Sequence, residues 1–367
     1  MINKLPLSPN FTAGRKHKFL STNECIVSQE QKYKISQLLT EDMFFRVTQL
    51  SENNAELINN QCLLTIKLKG IGLDNNVKIG DIVSVKLCNH IQTNDPRQKI
   101  KRLIKHEQPN SSVNLFNLLP HDWVKDRALV LRALVVFNSI SKQHQLLFNS
   151  IFWDAERFKR FCICPSSMSG HHSSFNGNLR HTIEVAEIMI RLFNESSFVN
   201  FDLGILAALL HDAGKADEYI SSKNGHCYLS ERGKLLGHKF TSVEWIVAAS
   251  SKWNIQLPTD HYVGLLHILS AAPNAPDWLG IRQPALPEAH LLSIADRLSG
   301  QEDLIRKTIN MNGGFGQHHK HLKSPPFLVR GQSIQEKKAV YALESFKINK
   351  SVMSEPKINH KRIRHVF

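Results

Sequence analysis

The chain has 367 residues, 42% of them hydrophobic, which is enough for about two domains of ~150 residues and at least one large core. A formal net charge of +14, from 46 Lys and Arg against 32 Asp and Glu, gives it a long-range attraction for polyanions. No apolar run approaches the ~20 residues that span a bilayer, and the opening MINKLPLSPNFTAGRKHKF lacks the apolar core of a signal peptide, so a folded, soluble, cytoplasmic protein is expected.

Residues 1–40 read as an N-terminal extension. Residues 41–95 carry the short runs FFRVTQL, CLLTIKLKG and DIVSVKLCN between turns such as SENN and LDNN, the pattern of a small antiparallel sheet or barrel. Residues 96–120 open with PRQKIKRLIKH and are expected to form a basic linker, in which Arg97, Lys99, Lys101 and Arg102 are candidate substrate-binding residues through phosphate contacts. From 121 to 325 the runs lengthen and take helical spacing. In HTIEVAEIMIRLF the residues Ile183, Ala186, Ile190 and Phe193 share a face, and in TSVEWIVAASSKW so do Val243, Ile246, Val247 and Ser250. The stretch 301–337 reads as irregular, and 326–367 as a basic, partly disordered tail ending in INHKRIRHVF. The six cysteines form no CxxC pair, which excludes a zinc ribbon or a disulfide scaffold, and Cys162 and Cys164 read as core.

The stretch LLHDAGK, 209–215, ends the most apolar run of the chain in a titratable pair, His211 and Asp212. A buried His or Asp costs several kcal/mol unless it is paired or ligated, and a metal ion satisfies both side chains at once. A capped helix end with an internal hydrogen bond would account for such a pair standing alone, but His181 in GNLRHTIEVA, His238 in LLGHKFTSVEWI and Asp296 in LPEAHLLSIADRLSG accompany it. Asp296 lies on an otherwise apolar face beside Leu292, Ala295 and Leu298, and so needs a partner.

The order H…HD…H…D resembles the HD-domain superfamily of metal-dependent phosphohydrolases. PSSMSGHHSSFNGNLRHTIEVA, LAALLHDAGKADEY, LSERGKLLGHKFTSVEWI and LPEAHLLSIADRLSG further resemble, in order and spacing, the segments of YhaM-type 3′→5′ exoribonucleases. The resemblance implies an α+β chain in which a small OB-like β-barrel precedes an all-α HD helical bundle. It implies a divalent ion (Mn, Mg, Fe or Co) on His181, His211, Asp212 and Asp296, with Asp212 bridging or orienting water. His238 would hold a second metal or contact substrate, and Lys215 would sit near a phosphate. Asp212, Lys215 and His238 are thus the implied catalytic residues, Lys215 also binding substrate, while His171 and His172 line the cleft. The implied partner is single-stranded nucleic acid, RNA ahead of DNA, with stacking on Phe44 or Phe45 as one means of holding it. Where the exoribonucleases have a His-His pair, this chain has Ala271 and Ala272, and alanine cannot ligate a metal. A second metal is doubtful on that ground, with His267 the nearest substitute. A small-nucleotide phosphohydrolase and a non-catalytic nucleic-acid-binding protein are the alternatives.

Overall fold

In the computed structural model, the described residues are 40–330 without 75, 88–99 and 222–226. They fall into two compact units, residues up to 107 together with 117–120, and residues 108–116 with those from 121 onward. The N-terminal extension, Arg97, Lys99 and the tail beyond 330 lie outside the described residues.

The first unit is a six-stranded sheet of β1 (Phe44–Leu50), β2 (Asn54–Ile58), β3 (Leu63–Lys67), β4 (Gly72–Leu73), β5 (Ile82–Leu87) and β6 (Ile100–Lys105). The strand order is β3-β2-β1-β5-β6-β4, antiparallel except where β4 runs parallel to β6. Among the described residues β3 and β4 do not pair, so the expected closed barrel is an open sheet. The two residues of β4 end the ladder on a parallel partner and leave β3 an edge. The basic stretch expected as a linker instead supplies β6, because Leu103 enters the core with Phe45, Leu57, Val83 and Val85 while Lys101 and Arg102 are exposed. Phe45 is fully buried and cannot stack on a base, and Phe44 is half-buried edge-on to His106. Arg46 is also fully buried, its guanidinium donating to the Leu118 carbonyl at 3.2 Å and to the Gly80 carbonyl at 2.8 Å. These bonds compensate a charge that would otherwise be costly to bury.

The second unit is helical: α1 (Arg127–Asn138), α2 (Lys142–Phe152), α3 (Ala155–Ile163), α4 (Gly177–Phe193), α5 (Phe201–Leu210), α6 (Lys215–Glu218), α7 (Glu231–Leu235), α8 (Gly237–Trp253), α9 (Thr259–Ser270) and α10 (Pro287–Thr308). It is not purely α, since β7 (Tyr219–Ser221) pairs with β8 (Cys227–Leu229), and β9 (Gly314–Phe315) with β10 (Phe327–Leu328). Helix α10 also continues to Thr308, into the stretch that its polarity suggested was irregular.

The apolar run at 203–210 is explained by the position of α5. Packed against α2, α4, α9 and α10, it buries every residue from Leu203 to Leu210 and therefore has no polar face to show. Asn200 caps its start by accepting from the Leu203 amide at 3.0 Å. In α8 the buried face is Ser242, Trp245, Ile246 and Ala249; Val247, expected to point inward, is 45% exposed. Ser242 turns that face inward by accepting from the Gly214 amide at 2.9 Å, a polar anchor that apolar spacing does not reveal.

Phe116, Phe137, Phe148, Phe152, Phe158 and Phe161, all fully buried, form a continuous aromatic core, with Phe152 centred 4.8 Å from Phe148 and 4.7 Å from Phe161. Replacing Phe152 by Ala should destabilise this unit by about 3–5 kcal/mol, read as a lower urea midpoint at an unchanged slope.

Candidate metal centre

Four side chains from three places in the chain converge at the end of α5. His181, one turn into α4, is fully buried. His211 terminates α5 and Asp212 follows it, while Asp296 comes from the middle of α10. His181 Nε2 lies 3.0 Å from Asp296 Oδ1, 3.5 Å from Asp212 Oδ2 and 3.4 Å from His211 Nε2. His211 Nε2 is 3.4 Å from Asp212 Oδ2. Asp296 sits at the lip of the site, with its side chain 47% exposed, and Leu298 beside it also faces outward.

The outer nitrogens of the two imidazoles are tied back. His211 Nδ1 is 2.7 Å from the Ala208 carbonyl, and therefore carries the proton and donates it. His181 Nδ1 is 3.1 Å from Ser299 Oγ, whose hydroxyl donates to Glu184 Oε2 at 3.1 Å. Both Nε2 atoms are thus turned toward the carboxylates of Asp212 and Asp296, the ligand atoms of His181, His211 and Asp212 lying within 4.8 Å of one another. The donor set of imidazole and carboxylate suits a divalent ion.

The charges agree with that reading. Burial pushes the Asp212 carboxyl upward, but His211 and Lys215 outweigh it and hold the group well below the usual carboxylate range. Asp296 is raised by burial, but its hydrogen bond to His181 and the charges of His211 and His181 together lower it to about 2. Burial holds His181 below its ordinary value and His171 at about 4. His211 is the exception, because burial lowers it but the charge and hydrogen bond of Asp212, together with the Asp296 charge, outweigh burial and raise it.

The match to known proteins covers this region. Residues 178–301 match the family model described as "HD domain". This part of the chain is an HD domain. A 151-residue stretch is 24% identical to the 3′-5′ exoribonuclease YhaM of Bacillus licheniformis, over 41% of this chain and 47% of that protein. The chain thus spans about half the length of this relative. No solved structure matches.

Within the HD domain, His181, His211, Asp212 and Asp296 are all brought together, and groups of His and Asp here have ligand atoms within 4.8 Å of one another. Lys215 is not where a phosphate could reach it easily. It is buried, donating to Asp212 Oδ2 at 2.6 Å and to Ser166 Oγ at 3.1 Å. His238 does face the opening: its Nε2 is 3.4 Å from Asp212 Oδ1, and its Nδ1 is 2.6 Å from Glu218. A cavity of about 100 Å³ is lined by His211, Asp212, His238, Lys239, Ala271 and Asp296, among others. Ala271 therefore stands in the wall without a donor. His267 does not replace it, because its Nε2 accepts the Ala285 amide at 2.9 Å. His172 does not line a cleft either; its side chain is fully buried, with Nε2 2.8 Å from Glu184. Sequence reasoning missed Ser299, Glu184, Glu218 and Lys239. Only Lys239, adjacent to His238, carried a local signal.

The tight HDAGK turn depends on Gly214, where a Cβ would lie 2.2 Å from the His238 carbonyl oxygen. Since the conflict is with backbone, Gly214→Ala should displace the start of α8 and cost about 1–3 kcal/mol, seen as a lower thermal midpoint. The displacement should also weaken metal uptake by the same sample.

Proposed function

We propose that the chain is a metal-dependent phosphohydrolase that cleaves phosphodiester bonds of single-stranded nucleic acid in the manner of a 3′→5′ exoribonuclease. The observation that carries this reading is the gathering of His181, His211, Asp212 and Asp296 at the end of α5, each within 3.0–3.5 Å of at least one of the others. A bound divalent ion would activate water and polarise a phosphoryl oxygen.

The protein's own groups supply the rest. Lys215 anchors Asp212 and neutralises part of its charge, so its role is to position that carboxylate. His238, oriented by Glu218 and open to the cavity, is placed to protonate the leaving oxygen. Lys239 on the same wall would attract a phosphate. We read the six-stranded sheet as OB-like and assign it a part in substrate capture, supported by the exposed Lys101 and Arg102 of β6. Arg97 and Lys99, just before that strand in the sequence, would extend the basic patch. Of the pair, Lys101 is the better phosphate contact, because Arg102 is ion-paired with Asp74.

The place of Ala271 in the cavity wall favours a second reading, a nucleic-acid-binding protein whose HD domain has lost catalysis. Elemental analysis of the native protein and Asp212→Ala, with the same samples assayed on a labelled single-stranded RNA and on mononucleotides, separates the readings. About one metal per chain, lost with Asp212 together with RNA cleavage, is expected. Metal-free native protein that binds RNA without cutting it would establish the second reading, and turnover of mononucleotides alone would move the substrate to small phosphate esters. In a separate variant, His238→Ala should retain metal yet lose about 10²–10⁴-fold in turnover, as a missing general acid does.

A further inference from the structure

His171 lies outside the H…HD…D pattern, yet one of its ring nitrogens is within 4.8 Å of a ring nitrogen of His181 and a carboxylate oxygen of Asp296. Its ring centroid is 4.9 Å from that of His181. Its Nε2 is buried and has no hydrogen-bond partner among the described residues, which is costly for a ring nitrogen.

The chain around it is built to keep the ring there. The His171 carbonyl accepts from Ser167 Oγ at 2.7 Å, and the next residue's amide donates to Asp303 Oδ2 at 2.7 Å. His172 takes φ +45°, a left-handed conformation uncommon outside glycine, within this turn. Gly300, one turn beyond Asp296 on α10, provides the floor. The three atoms nearest to a Cβ built there, at 3.2, 3.2 and 3.4 Å, all belong to the His171 ring. Any other residue at 300 would push against the imidazole.

We propose that His171 is a further ligand of the ion held by His181, His211, Asp212 and Asp296, giving three imidazoles and two carboxylates. This rests on the metal-dependent reading above and narrows it. Three imidazoles select a transition ion such as Mn, Fe, Co or Ni over Mg, which favours oxygen ligands and retained water. It also places the extra ligand next to Asp296, away from the Ala271 wall, so that the alanines need no substitute on their own side.

The test is a calorimetric titration of the full-length, chelator-stripped protein with Co²⁺ and with Mg²⁺, combined with the visible absorption of the Co²⁺ form, for the native chain, His171→Ala and Gly300→Ala. Native protein should bind Co²⁺ far more tightly than Mg²⁺. His171→Ala should weaken Co²⁺ binding by at least about 10-fold and alter its spectrum, since one nitrogen donor is lost. Gly300→Ala should act in the same direction with its thermal midpoint preserved, because alanine suits a helix interior better than glycine. That variant decides the matter if His171→Ala does not fold. Native Co²⁺ affinity and an unchanged spectrum in both variants would overturn the assignment of His171 while leaving the metal-dependent reading intact. A native chain that binds neither ion would overturn both.

Discussion

The carboxylate of Asp212 is the constraint around which the HD domain is arranged. It is 3% exposed at the end of a helix whose every turn is apolar, where an unpaired charge would be costly. Lys215, three residues on, compensates it directly. His181, His211 and His238 surround the remaining lone pairs, each with an Nε2 3.4–3.5 Å from a carboxylate oxygen. The same geometry that buries the charge thus gathers imidazole and carboxylate groups that could hold a metal ion.

Around that centre runs a layer of groups that never touch its middle point but decide what does. The Ala208 carbonyl, Ser299 and Glu218 each hold one nitrogen of a different histidine, and thereby aim the other inward. Ser299 and His172 both bond Glu184, which links the α4 and α10 sides of the site through a single carboxylate. These bonds fix tautomer and ring orientation together, and a loose imidazole would make a poor ligand. The layer also gives the site two different sides. Asp296 borders both the cavity that contains His238 and Ala271 and a larger one, about 550 Å³, that contains His171 and Arg297. Ala271 stands in the wall of the first, and His171 in the wall of the second.

The β unit follows another logic. A fully buried arginine, held by two carbonyls, joins β1 to the neighbouring turns. The same strand that contributes Leu103 to the core presents Lys101 and Arg102 outside it. Arg102 and Leu103 are neighbours and so face opposite ways, while Lys101 falls at the register irregularity opposite Lys86 and Leu87 and is released to solvent there.

His211, Asp212 and Asp296 stand out in the sequence because each interrupts an apolar pattern, and a polar residue in such a place calls for a partner, whereas His181 joined them through the H…HD…H…D resemblance. The division into a β-rich front and a helical remainder was equally legible, since it follows from local spacing. Sequence placed Lys215 beside a phosphate, and only the fold showed its amine spent on Asp212. The strand in the basic segment, the open edge of the sheet and the inward face of α8 were also decided by pairing and by a buried serine, neither of which leaves a periodic trace. The support of His181 by Ser299 spans 118 residues and that of His172 by Asp303 spans 131. Residue type and local period determine which side chains need a partner, but partners this distant are chosen only when the helices pack, because a hydrogen bond acts over about 3 Å whereas the sequence between them carries no distance at all.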